Sequence, residues 1–257
     1  MADYNAPIFG AVEAPLVTLA EQRRLPRHQN MDPVTLRWIA EHRPADLPTA
    51  PVAHPPMTIA CYALIPAGWY AQPRVTESIH GLRHGARVAI LAAHLARMLE
   101  LPVRETLEAV VAGALHDCRR LHDQDDPGHG ARAARWFAER HANIMAHLLP
   151  PAGITRGHVI ATAMELHDVD YPTFTDWQQE RYRTSPVVCD IVKTADALDR
   201  YRLPKLKWWP NNDFLRLLAP PWLHRYAFDL MLTTEQHHLD GMSSERAVMA
   251  VLVKEKL

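Results

Sequence analysis

The sequence predicts an all-α protein. From Val75 onward, apolar residues recur at three- and four-residue spacing in one segment after another, the pattern of helices that bury one face. Beyond residue 70 there is no sustained two-residue alternation of the kind that marks a half-buried strand. A chain of 257 residues with 48% hydrophobic and 22% charged residues is long enough and apolar enough to bury a substantial core.

Residues 1–73 read as a lead-in packed on the core. Prolines recur there at 7, 15, 26, 33, 44, 48, 51, 55, 56, 66 and 73, and proline breaks regular structure. One short helix fits 33–42 (PVTLRWIAEH), and "MTIACYALI" at 57–65 fits a strand or an extended cover. Residues 74–257 form the helical domain. A long helix is predicted from Val75 to Glu100, with Thr76 as its cap. Pro102 separates it from a second, where Leu107, Val110, Val111, Ala114 and Leu115 keep helical spacing up to Asp117. After the loop "RRLHDQDDPG", helices are predicted over about 130–148, 154–167 and 185–201. A proline-broken insert, "LPKLKWWPNNDFLRLLAPPW", precedes a last helix over 242–255.

Composition excludes several classes of partner. A formal net charge of −1 gives no global attraction to a nucleic acid duplex or an anionic membrane surface. No apolar run reaches membrane-spanning length and no signal peptide is evident, so the expected compartment is cytoplasmic. Cys61, Cys118 and Cys189 are far apart and odd in number, which suggests neither a disulfide framework nor a CxxC metal site. Homo-oligomerisation is left open. Arginine far outnumbers lysine, and its planar fork suits phosphate, although genome composition explains such a bias equally well.

The unusual feature is the histidines. With sixteen His and sixteen Asp, about one His-Asp step is expected by chance; three occur, at 116–117, 122–123 and 167–168. Context favours the first. His116 and Asp117 end an apolar helix, where buried charge needs a partner. Imidazole and carboxylate suit divalent metals. His84 sits among Val88, Leu91 and Leu95, and Asp196 is an acid inside another apolar helical stretch. These four residues make a plausible metal site from three helices, and a metal-free hydrogen-bonded network is the competing reading.

His84, the His116–Asp117 pair and Asp196, in that order on successive helices, resemble the signature of the HD superfamily of metal-dependent phosphohydrolases. The segments "SIHGLRH..RV", "HDCRR..D..D..HG.RAA" and "DALDR" resemble a group of bacterial HD proteins of poorly defined substrate. The match spans roughly residues 75–202 and implies an HD-type helical bundle. Dinuclear members add two histidines between the HD pair and the final Asp. That implies His129 and His167 as ligands of a second divalent ion, with His158 the fallback for His167; Mn, Fe, Mg, Zn, Ni and Co are all candidates. The HD-GYP subgroup fits less well, because the lysine after its HD pair is replaced here by "CRR".

Several cations lie near these residues. Arg119 and Arg120 follow the pair, Arg83 and Arg87 flank His84, and Lys193, Arg200 and Arg202 flank Asp196. Arg120 and Arg202 are expected to hold substrate; the others are expected to pair with acids such as Asp123, Asp125, Asp126 and Asp199. Asp117 is expected to bridge two ions and Asp126 to support His129. His80, one turn from His84, is expected either to line the pocket or to orient a ligand. His94 is expected to be exposed, and His122, His141, His147, His224, His237 and His238 to be solvated.

The implied function is hydrolysis of a small phosphate ester or nucleotide by a metal-activated water. Alternatives are an HD-type di-iron oxygenase and a non-catalytic nucleotide-binding HD sensor. The aromatic insert "KWWPNNDF" fits a base-stacking pocket, a partner surface or a packed flap.

Overall fold

The computed structural model describes residues 14–45, 47–48, 63–148 and 155–254, and they are helical throughout, with no strand among them. The cover proposed for 57–65 lies mostly outside the described residues; Ala63 and Ile65, at its end, are buried. No helix among the described residues is long and apolar enough to cross a membrane.

The lead-in contributes α1 (Leu16–Glu21) and α2 (Pro33–Glu41). Asp32 caps α2 by accepting from Val34 N and Thr35 N, and Pro33 takes the first helical position, where a missing N–H costs nothing. A one-turn helix, α3 (Pro73–Thr76), leads into α4 (Leu82–Met98).

The long helix therefore starts at Leu82, not Val75, and Thr76 does not cap it. The hydrogen bonds of the intervening residues go elsewhere. The Ser78 hydroxyl donates to Val75 O and to Asp123 Oδ1, and Ile79 N donates to Gln29 O of the lead-in.

Helix α4 is the axis of the domain, buried on every side from Leu82 to Ala96. Its nearest neighbour is α5 (Val103–Leu115), and α9 (Pro186–Asp199) packs against both. Between them in sequence come α6 (His129–Leu148), α7 (Gly157–Leu166) and α8 (Asp176–Thr184), the last closed at its start by a Thr175–Gln178 capping box. The "KWWPNNDF" insert forms short 3-10 turns, and Trp209 packs edge-on against Tyr201 and Phe228. Helices α10 (Pro221–Leu239) and α11 (Ser244–Lys254) follow. The sequence pattern predicts none of α1, α8 and α10.

Two close approaches set up the site. A Cβ on Gly85 would lie 2.8 Å from Ala114 O, so α4 can lie against the end of α5 only without a side chain there. A Cβ on Gly130 would lie 2.5 Å from Met164 O, so the start of α6 can meet the end of α7 for the same reason. Each approach brings one pair of histidines together.

Candidate metal centre

His84 lies on the first turn of α4, and His116 and Asp117 follow the last residue of α5. His129 opens α6, His167 follows α7, and Asp196 lies near the end of α9. His84, His116, Asp117, His129 and His167 are all buried, and Asp196 is partly exposed in a cleft. The structure thus brings all six sequence-predicted ligands together. His158 is exposed and is not one of them.

They form two groups that share one carboxylate. In the first, His84 Nε2 is 3.1 Å from His116 Nε2, 3.5 Å from Asp117 Oδ2 and 3.3 Å from Asp196 Oδ1. In the second, His129 Nε2 is 2.9 Å from His167 Nε2 and 2.9 Å from Asp117 Oδ1, and His167 Nε2 is 3.4 Å from the same oxygen. An ion about 2.1 Å from each donor places neighbouring donors about 3.0–3.4 Å apart, close to the 2.9–3.8 Å found here. Both groups of buried side chains can hold a metal ion.

The tautomers support this. Nδ1 of His116 faces Gly113 O at 2.6 Å, Nδ1 of His129 faces Asp126 O at 2.8 Å, and Nδ1 of His167 faces Met164 O at 2.7 Å. Nδ1 of His84 faces Asp199 Oδ2 at 2.8 Å. Each Nδ1 meets an acceptor and must donate, which in a neutral ring leaves Nε2 a bare lone pair. Lone pairs 2.9–3.1 Å apart, beside carboxylates, repel unless a cation or a shared proton lies between them; at the second pair Arg120 Nη1 also lies 3.1 Å from His129 Nε2. Asp117 Oδ1 is buried and has no well-directed hydrogen-bond donor.

Electrostatics agree. Burial opposes charge on His84, but Asp117, Asp196 and Asp199 outweigh it and raise the ring to about 9, so this position attracts a cation. Burial likewise pushes the Asp117 and Asp196 carboxyls up. Arg120 and the neighbouring imidazoles for Asp117, and His116 and His84 for Asp196, hold them well below the usual carboxylate range. The donors are nitrogen and oxygen only. The Cys118 thiol next in sequence is buried, and burial pushes its pKa far up.

Support for the ligands comes from residues the sequence reading had taken as ordinary charge pairs. Asp199 accepts from His84 Nδ1 and is gripped by Arg87 Nε at 2.6 Å and Nη2 at 2.9 Å. Arg87 Nη1 reaches Glu235 Oε1 of α10 at 2.6 Å, and Arg83 Nε reaches Glu235 Oε2 at 3.0 Å. Arg83 and Arg87 are thus structural. Glu235 had no signal in the sequence, because its helix was not recognised. Asp126 meets His129 as expected, through its backbone carbonyl, while its carboxylate serves Leu121 N and Arg132. Asp168, whose Oδ2 is 3.2 Å from His129 Nδ1, was missed.

The cleft over the site has a volume of about 250 Å³, and His80, Arg120, Arg200 and Arg202 line it with Asp117, His129, His167 and Asp196. Arg120 donates to His122 O and Gln124 O, which orders the loop, and its Nη1 lies 3.7 Å from Asp117 Oδ1. Arg202 donates from Nε to Ile79 O, and its Nη1 makes no hydrogen bond. Arg119 donates to Trp69 O, and Lys193 bonds the carbonyls of Leu166, His167 and Val169 that close α7.

His80 lines the cleft with Nδ1 3.0 Å from Asp123 Oδ1. Burial, with Arg120 and Arg202 nearby, lowers its pKa to about 3, so the ring is neutral at pH 7. His94, expected to be exposed, is buried against the rings of Trp222 and Tyr226, because α4 is covered on all sides. His224 is half-buried and meets the Tyr201 hydroxyl.

Compared with family models, with curated proteins and with solved structures, the chain gives no match.

Proposed function

We propose that the protein is a metal-dependent phosphohydrolase of the HD type, acting on a small phosphate ester. The observation that carries this reading is the placing of Arg120 and Arg202 in the same cleft as two histidine–aspartate groups that share Asp117. Four imidazoles in a six-residue donor set favour a first-row transition ion such as Mn, Fe, Co, Ni or Zn over Mg. His84, His116, Asp117 and Asp196 would hold one ion, and Asp117, His129 and His167 a second.

Bound ions would supply a Lewis acid and an activated water at neutral pH. The chain does the rest. Asp117 fixes the two groups relative to each other through its two oxygens. Arg120 and Arg202 place positive charge where a phosphoryl group gains negative charge in the transition state. His80, with Nδ1 committed to Asp123, keeps Nε2 as an acceptor beside the cleft.

Phosphate release should be measured with a panel of phosphomonoesters and nucleotides and several divalent ions, alongside elemental analysis of the purified protein. Release that needs metal and is lost in Asp117→Ala supports the reading. No release with any ion, together with retained iron and dioxygen consumption, would replace it with an oxygenase.

A further inference from the structure

We propose that the substrate's organic part is a short chain bearing hydroxyl or ammonium groups, held by Asp168 and Asp170, and is not a nucleoside. This rests on the phosphate-ester reading above and narrows it.

The cleft is unlike an ordinary ligand pocket, which is mostly apolar. Leu203 is its only apolar lining residue. It has a cationic part, Arg120, Arg200 and Arg202; Arg202 is only 3% exposed, and its Nη1 lacks a hydrogen bond, with Asp199 Oδ2 3.6 Å away as an ion-pair partner. An anionic group answers that need. The rim is acidic: Asp168 and Asp170 are both exposed. The Asp170 carboxylate makes no hydrogen bond or ion pair among the described residues, while Asp168 Oδ2 lies 3.2 Å from His129 Nδ1 with its other oxygen uncommitted, so the rim asks for donors from the ligand.

The cleft shares Arg120, His129, Asp168 and Asp170 with an adjoining hollow of about 380 Å³. That hollow adds Asp125 and Asp126, which extends the acidic character outward. Neither space has a Phe, Tyr or Trp in its lining, the rings on which unpaired bases most often stack, and the lining arginines and histidines are surrounded by carboxylates. Tyr171 lies in the next hollow, but its ring already carries Arg216 at 4.0 Å and Lys193 at 4.7 Å, and its hydroxyl donates to Asp190. Phe214 in that same hollow is exposed, which makes a nucleotide the right competitor.

The test is calorimetry on the full chain loaded with Mn²⁺, using inorganic phosphate, glycerol 3-phosphate, phosphoethanolamine and AMP. Glycerol 3-phosphate or phosphoethanolamine should bind about tenfold or more tightly than AMP. AMP binding as tightly as either, or no binding by any of the four, would overturn the proposal. Asp170 is exposed, so Asp170→Asn should fold normally. It should weaken phosphoethanolamine about tenfold and leave inorganic phosphate unchanged. A smaller loss for glycerol 3-phosphate assigns the hydroxyl class to the amide oxygen that remains. Unchanged affinity for both organic phosphates would remove Asp170 from the site and overturn the proposal. Phosphate release from the same compounds and from 4-nitrophenyl phosphate separates the two readings. Binding without release refutes the hydrolase while leaving the ligand class standing; release that favours AMP refutes the ligand class alone.

Discussion

Asp199 Oδ2 lies 2.8 Å from Nδ1 of His84, and both side chains are fully buried. The same carboxylate is clamped by Arg87, and Arg87 is held by Glu235. A chain of four buried groups thus runs from a C-terminal helix to a candidate metal ligand and fixes which nitrogen of that ligand carries hydrogen.

Removing the carboxylate should therefore affect both metal and fold. Asp199→Ala should weaken metal affinity about 10–100-fold, the usual effect of losing such a support. It should also destabilise the protein by about 3–5 kcal/mol, because Arg87 loses a buried partner. Asp199→Asn, which keeps an acceptor for His84, should lose less affinity. Metal titrations and urea unfolding of both variants check this.

The two ion positions should respond separately to mutation. His129→Ala and His167→Ala should each lower metal stoichiometry from two toward one. Gly130→Ala should do the same without replacing a ligand, because its Cβ would push against Met164 O and against Nδ1 of His167 and separate His129 from His167. Elemental analysis reads the result; one ion in the wild type, unchanged in all three variants, would reduce the site to His84, His116, Asp117 and Asp196.

Replacing Arg120 or Arg202 with lysine should lower kcat/KM by about one to two orders of magnitude with any substrate that is found. Lysine keeps the charge but not the bidentate fork, and a charge-assisted contact is worth about 1.5–3 kcal/mol. Metal content should stay constant. Full activity in both variants would make the arginines structural.

The metal-free protein should lose stability as pH falls from about 6 toward 3. His80 is brought down to about 3 in the fold against an ordinary value near 6.5, so the unfolded chain binds the proton first. Its contribution is complete above the unfolded value and is lost as pH falls toward the folded one. Asp199, which Arg87 and His84 bring down to about 2 against burial, adds a second loss below about pH 4. Urea midpoints across this range should fall less steeply between pH 6 and 4 in His80→Gln than in the wild type.

Much of the site was legible because polar residues stood at positions whose helical neighbours were apolar. His84 among Val88, Leu91 and Leu95 is the clearest case, and Asp196 the next. His129 and His167 stood at helix ends, where spacing carries no such signal, and came only from the resemblance. Helix α10 was hidden because it opens on Pro221 after a proline-broken stretch and mixes histidine, arginine and aspartate into its apolar stripe. With it went Glu235. The start of α4 was misplaced because the residues before it look helical, while their hydrogen bonds go to Asp123 and the lead-in. His94 reads as a surface residue in sequence because nothing local reveals that Trp222 and Tyr226 cover it.

The lead-in is stitched into the cleft. Asp123 accepts from Gln29 N at 2.8 Å, donates its own N–H to Arg27 O at 2.9 Å, and holds His80; Ile79, next to His80, donates to Gln29 O. The change in composition near residue 73 therefore marks no seam at which the protein can be cut. Excising the first seventy residues would strip the backbone partners from the loop that supports one wall of the site. A protease nick near residue 28 would loosen that wall rather than trim a tail.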